Sequence, residues 1–221
     1  MTTSAVPARG AVGIIGAGKS GTAIARLALS AGYRVQIASS GTVEDTELMM
    51  QFVAPGVVTT DVEHVADGTD FVVIAVPLRR FRDLDPERFA SRTVVDVMNY
   101  WPPIDGVLAE FEDTDRPSSV IVQNALPTTT VVKTFNHLGY HQMEDLATPS
   151  GTAGRIALAV AGNDERAVAT VMRFVDGVGF DPVDAGPLED SALLQPETPV
   201  FGAALDRATL TALLASRTQA A

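Results

Sequence analysis

Ala11-Val-Gly-Ile-Ile-Gly16-Ala17-Gly18-Lys19-Ser20-Gly21 is the stretch whose reading decides the fold, and two phosphate-binding patterns overlap in it. Gly13 to Ser20 fits G-x-x-x-x-G-K-[ST], while Gly16 to Gly21 fits G-x-G-x-x-G. Both aim backbone N–H groups at an anion from the start of a helix. They differ in where the preceding strand ends. The first pattern needs a central strand over Val6–Val12, which contains Pro7 and Gly10, and a central strand tolerates these poorly. The second needs only the apolar run Ala11–Ile15, and it gives Gly21 a purpose, the close approach of helix to sheet. A partner acid for the first pattern exists in Val94-Val95-Asp96 but is weak. The dinucleotide reading is preferred.

Outward from this loop, strand-length apolar runs alternate with helix-length amphipathic segments. Thr22–Ser30 reads as a helix stopped by Gly32, and Tyr33–Ala38 as the second strand. Thr42 and Asp45 resemble a capping box for a helix reaching about Phe52. Val57–Thr59, Asp70–Val76 and Thr93–Val97 follow as strands, then a helix over Ser118–Leu126 and a sixth strand over Val131–Phe135. The last third reads as strand Arg155–Val160, helix Asp164–Asp176, strand Asp181–Asp184 and a proline-punctuated helical tail. The alternation predicts an α/β fold of Rossmann type, doubly wound, with a mainly parallel sheet. Residues 1–150 are expected to form the nucleotide-binding domain, and 151–221 a small C-terminal α/β extension that completes the substrate pocket. Asn99–Pro117 and Asn136–Gly154 read as long loops, where function tends to sit.

The end of the second strand chooses the cofactor. An acid there accepts a hydrogen bond from the ribose 2′-hydroxyl of NAD. Here the chain reads Ile37-Ala38-Ser39-Ser40-Gly41-Thr42, with no acid before Glu44. Hydroxyl groups tolerate a 2′-phosphate that a carboxylate would repel, so NADP(H) is expected, with Ser39, Ser40 and Thr42 around the phosphate.

Bulk composition narrows the classes further. The 221 residues carry a net charge of −11, which argues against a nucleic-acid or anionic-membrane partner. With no cysteine, disulfides, thiolate catalysis and cysteine-bound metals are excluded. No apolar run approaches the roughly 18 residues of a membrane helix, and Met1–Gly10 lacks a signal pattern, so a cytoplasmic protein is expected. The three histidines show no metal-ligand spacing.

Several further stretches occur in a telling order: Ile74-Ala-Val76-Pro77, Val94–Asn99 (VVDVMN), Val131–Gly139 (VVKTFNHLG), Val160–Asp164 (VAGND) and Gly179–Ser191 (GFDPVDAGPLEDS). Together with the glycine loop they resemble the coenzyme F420-dependent NADP oxidoreductases, over nearly the whole chain from Ala11 to about Pro199. The resemblance implies direct hydride exchange between NADPH and the deazaflavin ring of F420, with no acid–base residue required. It implies cofactor contacts from Gly16, Ala17, Gly18, Lys19, Ser20, Gly21, Ser39, Ser40, Val76 and Pro77. Asn99, Asn136 and His137 would surround the nicotinamide. The chain departs from the family where Ser40 replaces the arginine expected after the second strand, and where Asn99-Tyr-Trp-Pro-Pro-Ile-Asp-Gly is longer and more aromatic.

Beyond the resemblance, Arg79, Arg80 and Arg82 follow Pro77 beside the cofactor edge. They are candidates for an anionic group of the second substrate or a pyrophosphate oxygen of NADP, with Arg80 the expected cofactor contact; the alternative is a basic turn paired with Asp83 and Asp85. Tyr100 and Trp101 could stack on a flat ring or anchor the loop to the core. His137 could donate to a ring carbonyl or be a satisfied structural group. Two other functions stay open: an NADPH-dependent reductase of a small imine or carbonyl compound, and a non-catalytic NADP(H) sensor. The chain after Gly151 is too short for the helical second domain of the imine-reducing enzymes. A homodimer is expected from the resemblance.

Overall fold

The computed structural model describes residues 9–112 and 116–218. The reading of Met1–Gly10 falls largely on residues 1–8, which lie outside the described residues.

The chain runs β1 (Ala11–Ile15), α1 (Lys19–Ser30), β2 (Arg34–Ala38), α2 (Val43–Val53), β3 (Val58–Thr59), β4 (Phe71–Ile74), β5 (Thr93–Asp96), α3 (Pro102–Asp105), α4 (Ser118–Ala125), β6 (Thr130–Lys133), α5 (Tyr140–Leu146), β7 (Ala157–Gly162), α6 (Glu165–Gly177), β8 (Asp181–Asp184) and α7 (Arg207–Thr218). The strands form one eight-stranded sheet in the order β3-β2-β1-β4-β5-β6-β7-β8. All neighbours are parallel except β6 and β7. Reversal of order on either side of β1 makes the switch point at which open α/β sheets bind ligands.

β1 and β4 are apolar at every position because both faces are covered, and every residue of each is buried. Gly13 lies inside β1, where a Cβ would collide with the carbonyl oxygen of Val65. Its glycine therefore serves packing beneath the sheet, and the competing P-loop reading falls. Register then aligns the strand ends: Ile15 lies opposite Ala38 and Ile74, Ile74 opposite Asp96, and Asp96 opposite Lys133. The residues that follow these five ends share one edge.

The last third extends this sheet. β7 lies beside β6, and α6 presents Phe174 to Phe71, Tyr33 and Phe135 at centroid separations of 5.0, 5.1 and 5.9 Å. One core cluster runs from Val12 through Leu158 to Phe180. The two long loops contain more order than expected. α3 and a 3-10 turn at Ala109–Phe111 interrupt the first, and α5 occupies the second. α5 has seven residues, too few for a helical period to stand out; its Met143 is buried in the core cluster, and Arg26 of α1 bonds Glu144 at 2.7 and 2.6 Å.

Candidate functional site

Gly16 sits at φ +112°, where a Cβ would strike the Ala75 carbonyl oxygen, and a Cβ on Gly21 would strike the Gly16 carbonyl oxygen. These two glycines let β1 turn sharply into α1. Gly18 differs: a Cβ there meets nothing in the protein. Gly18 is the N-cap of α1, no side chain caps the helix, and its first turn holds no acid. An uncapped helix start beside an open glycine is a seat for a phosphate group. The fit for a dinucleotide pyrophosphate is good.

A cavity lies on each side of this loop. One of about 600 Å³ is lined by Gly16, Ala17, Gly18, Ser39, Ser40, Val76, Pro77, Arg79, Arg80 and Asp83. The other, about 420 Å³, is lined by Ser20, Asn99, Asn136, His137, Tyr140 and Phe201, among others. Lys19 stands between them, its ammonium 5.2 Å from the Tyr140 ring centre. The structure thus gathers nearly all the expected residues along one track across the sheet edge. Lys19 and Gly21 belong to the loop and helix start between the cavities without lining either, Tyr100 and Trp101 line a third cavity, and Thr42 stands apart. It caps α2, accepting from the Asp45 N–H at 3.1 Å, and lines neither cavity.

Ser39 carries a constraint that sequence could not show. Thr46 Oγ1 gives its single proton to the Thr42 carbonyl at 2.7 Å, so in the 2.7 Å contact between Ser39 and Thr46 the Ser39 hydroxyl must donate. The same oxygen accepts the Gly41 N–H at 3.0 Å. Ser39 therefore has no proton left for a phosphate. Ser40 is exposed, with no side-chain bond among the described residues.

In the second cavity, Ala159 N–H donates to His137 Nε2 at 3.2 Å, which leaves the ring proton on Nδ1. Nδ1 faces Asn136 Oδ1 at 3.4 Å. Asn136 Nδ2 then donates to Asn99 Oδ1 at 3.0 Å and to the Leu194 carbonyl, and Asn99 Nδ2 donates to the Asn136 carbonyl at 2.8 Å. Every bond in the chain has one direction. Burial, helped by the charge of Lys133, lowers the His137 pKa to about 4, so its imidazole is neutral at physiological pH. Asn99 keeps one amide proton free to face the cavity.

Beneath lies a buried ion pair. Lys133 and Asp96, at adjacent strand ends, meet at 3.2 Å. Ser119 donates to the same carboxylate at 2.7 Å, Met98 N–H to its other oxygen at 2.9 Å, and Lys133 also donates to the Met98 carbonyl. Burial lowers the Lys133 pKa against the pull of Asp96. The pair shapes the Val97–Asn99 segment from below. Its only sequence signal is a charged residue ending each of two apolar strands.

The remaining candidates separate by role. Tyr100 anchors its loop: it stacks on Phe111 at 5.5 Å, and its hydroxyl accepts the Leu108 N–H at 3.0 Å and donates to Glu112. Trp101 is 45% exposed at the rim of a third cavity, of about 240 Å³, shared with Arg116 and Gln195. Arg82 pairs with Glu110, Arg80 with Asp83, and Arg79 donates to the Ile104 carbonyl. Asp85 pairs with Arg88 instead. Among the described residues no group of three His, Cys, Asp or Glu could hold a metal, and no helix is long and apolar enough to cross a membrane.

An eight-stranded, mainly parallel sheet with an open glycine loop at its switch point, flanked by two cavities, places this chain in the Rossmann fold class. Residues 11–100 match the family described as NADP oxidoreductase, coenzyme F420-dependent. A hypothetical protein, SMa0349 from Sinorhizobium meliloti, superposes with TM-score 0.76 at 27% identity, over 90% of this chain and 95% of that one. A structure from Arthrobacter sp. FB24, provisionally described as an F420-dependent NADP reductase, shares the fold with TM-score 0.70 at 22% identity, over 89% and 99% of the two chains. The Escherichia coli K12 protein YjhV is 42% identical over 62 residues, which span 28% of this chain and 45%, less than half, of that protein.

Proposed function

We propose that this chain is an NADPH-dependent reductase whose second substrate is a flat ring compound, the deazaflavin coenzyme F420. The observation that carries the reading is the pair of cavities joined by the uncapped start of α1, with Trp101 at the rim of a third. NADPH, when bound, supplies a hydride from its nicotinamide ring.

The chain's own residues bind, orient and exclude water. The first-turn N–H groups of α1 take the pyrophosphate, with Gly18 allowing the approach. Asn99, its amide fixed by Asn136 and His137, presents its free N–H to the ring carboxamide. His137 is neutral and buried, so it serves as a positioning residue and not as an acid. No proton donor is required, since placement of donor and acceptor supplies most of the acceleration in such transfers. A proton reaching the reduced acceptor comes from solvent.

The test is to mix protein, NADPH and F420 and follow the deazaflavin absorbance. Its bleaching in step with NADPH oxidation is the expected result. Tight NADPH binding without turnover would remove F420 and leave an imine or carbonyl acceptor, or a sensor, to be tried in the same assay.

A further inference from the structure

A protein of net charge −11 must find positive charge somewhere to hold a 2′-phosphate. The end of β2 supplies none: Ser39, Ser40, Gly41 and Thr42 follow it, and the Ser39 proton is committed to Thr46. The adenosine-side cavity nevertheless carries net positive charge, with Arg79 and Arg80 against Asp83. The third cavity carries Arg116 against Glu112 and Glu197.

Of the two arginines, Arg79 is tied down. Its guanidinium donates to the Ile104 carbonyl and its backbone N–H to Asp105 at 3.2 Å. Among the described residues the Arg80 side chain is held by Asp83 alone, three residues on in the same 3-10 turn, and the two side chains are 55% and 57% exposed. An exposed pair of this kind contributes little and exchanges readily. A phosphate offers the guanidinium more charge than a carboxylate and the same bidentate geometry.

We propose that Arg80 reads the 2′-phosphate of NADP(H), leaving Asp83 to do so, with Ser40 as hydroxyl donor and Asp83 as the built-in competitor. The inference rests on the nucleotide-site reading above and adds the residue that selects NADP over NAD. It places the selecting charge after β4, across the cavity from β2.

The experiment is equilibrium binding of NADPH and NADH, which differ only by the 2′-phosphate, followed by reduced-nicotinamide fluorescence. The wild-type protein is expected to prefer NADPH. Arg80→Ala should weaken NADPH roughly tenfold and leave NADH within about twofold, with Arg80→Lys recovering part of the loss. Asp83→Asn should tighten NADPH about two- to fivefold by removing the competitor, and it stands as evidence even if Arg80→Ala proves unstable. Equal weakening of both dinucleotides by Arg80→Ala, or NADPH affinity indifferent to Asp83→Asn, overturns the proposal. Wild-type protein that binds both equally overturns the 2′-phosphate reader alone. Protein that binds neither overturns the nucleotide site and this inference with it.

Discussion

At the scale of single residues, His137 shows how a side chain that looks like a catalyst becomes a fixture. Its two ring nitrogens are spent on Ala159 and Asn136, and burial holds its pKa at about 4 against an ordinary 6.5. The folded state therefore binds fewer protons than the unfolded state between those values. The stability from a neutral His137 is whole above pH 6.5 and is lost as pH falls towards 4, an effect of about 3 kcal/mol at most. Urea unfolding at pH 7 and at pH 5 should show the decline, and His137→Gln should flatten it. A variant with the wild-type pH dependence would show that another group is responsible. Sequence alone could nominate His137, but its tautomer depends on Ala159, 22 residues further on. Ser39 gives the same lesson: its hydroxyl was legible, and the loss of its proton to Thr46 was not.

At the scale of elements, two helix starts have opposite purposes. α2 begins at Thr42, whose hydroxyl accepts from Asp45, with Glu44 and Asp45 in the first turn to satisfy the helix dipole internally. α1 begins at Gly18 with neither cap nor acid. Thr42→Ala should cost about 1 kcal/mol of stability and leave NADPH affinity unchanged. Gly18→Ala should shift stability by less than about 1 kcal/mol, since its Cβ meets nothing in the protein and the stiffer unfolded chain offsets alanine's poorer N-capping, yet weaken NADPH because the Cβ occupies the phosphate's approach. Melting curves beside fluorescence titrations separate the two; a Gly18→Ala protein with undiminished affinity would remove the helix start from the site. Both helices were legible, α2 from its capping box and α1 from its amphipathic period and the Gly32 stop. α5 was not, because its seven residues are too few to show a period and its one buried side chain, Met143, meets a core assembled from distant parts of the chain.

At the scale of the whole molecule, the sheet crosses the expected boundary near residue 150. β7 pairs with β6, and Leu158, Val160 and Phe174 share a core with Val12, Phe71 and Phe135. A fragment ending at Ser150 would leave β6 as an open edge and strip those apolar partners away. The intact chain should unfold in one calorimetric transition, with van't Hoff and calorimetric enthalpies equal. Two resolved transitions would instead support separate folding units.

By itself the sequence determined the order of elements, the glycine turn and the edge of the sheet at which that turn opens. Those features rest on local period, turn chemistry and strand burial, all written within a few dozen neighbouring residues. Only the tertiary structure decided that Gly13 serves packing while Gly18 faces open space, that the Ser39 proton goes to Thr46, that Lys133 and Asp96 pair, and that Arg80 lines the cavity beside Asp83. Each is a question of which hydrogen-bonding and charged groups meet across the fold, and such pairings are made by residues far apart in the chain.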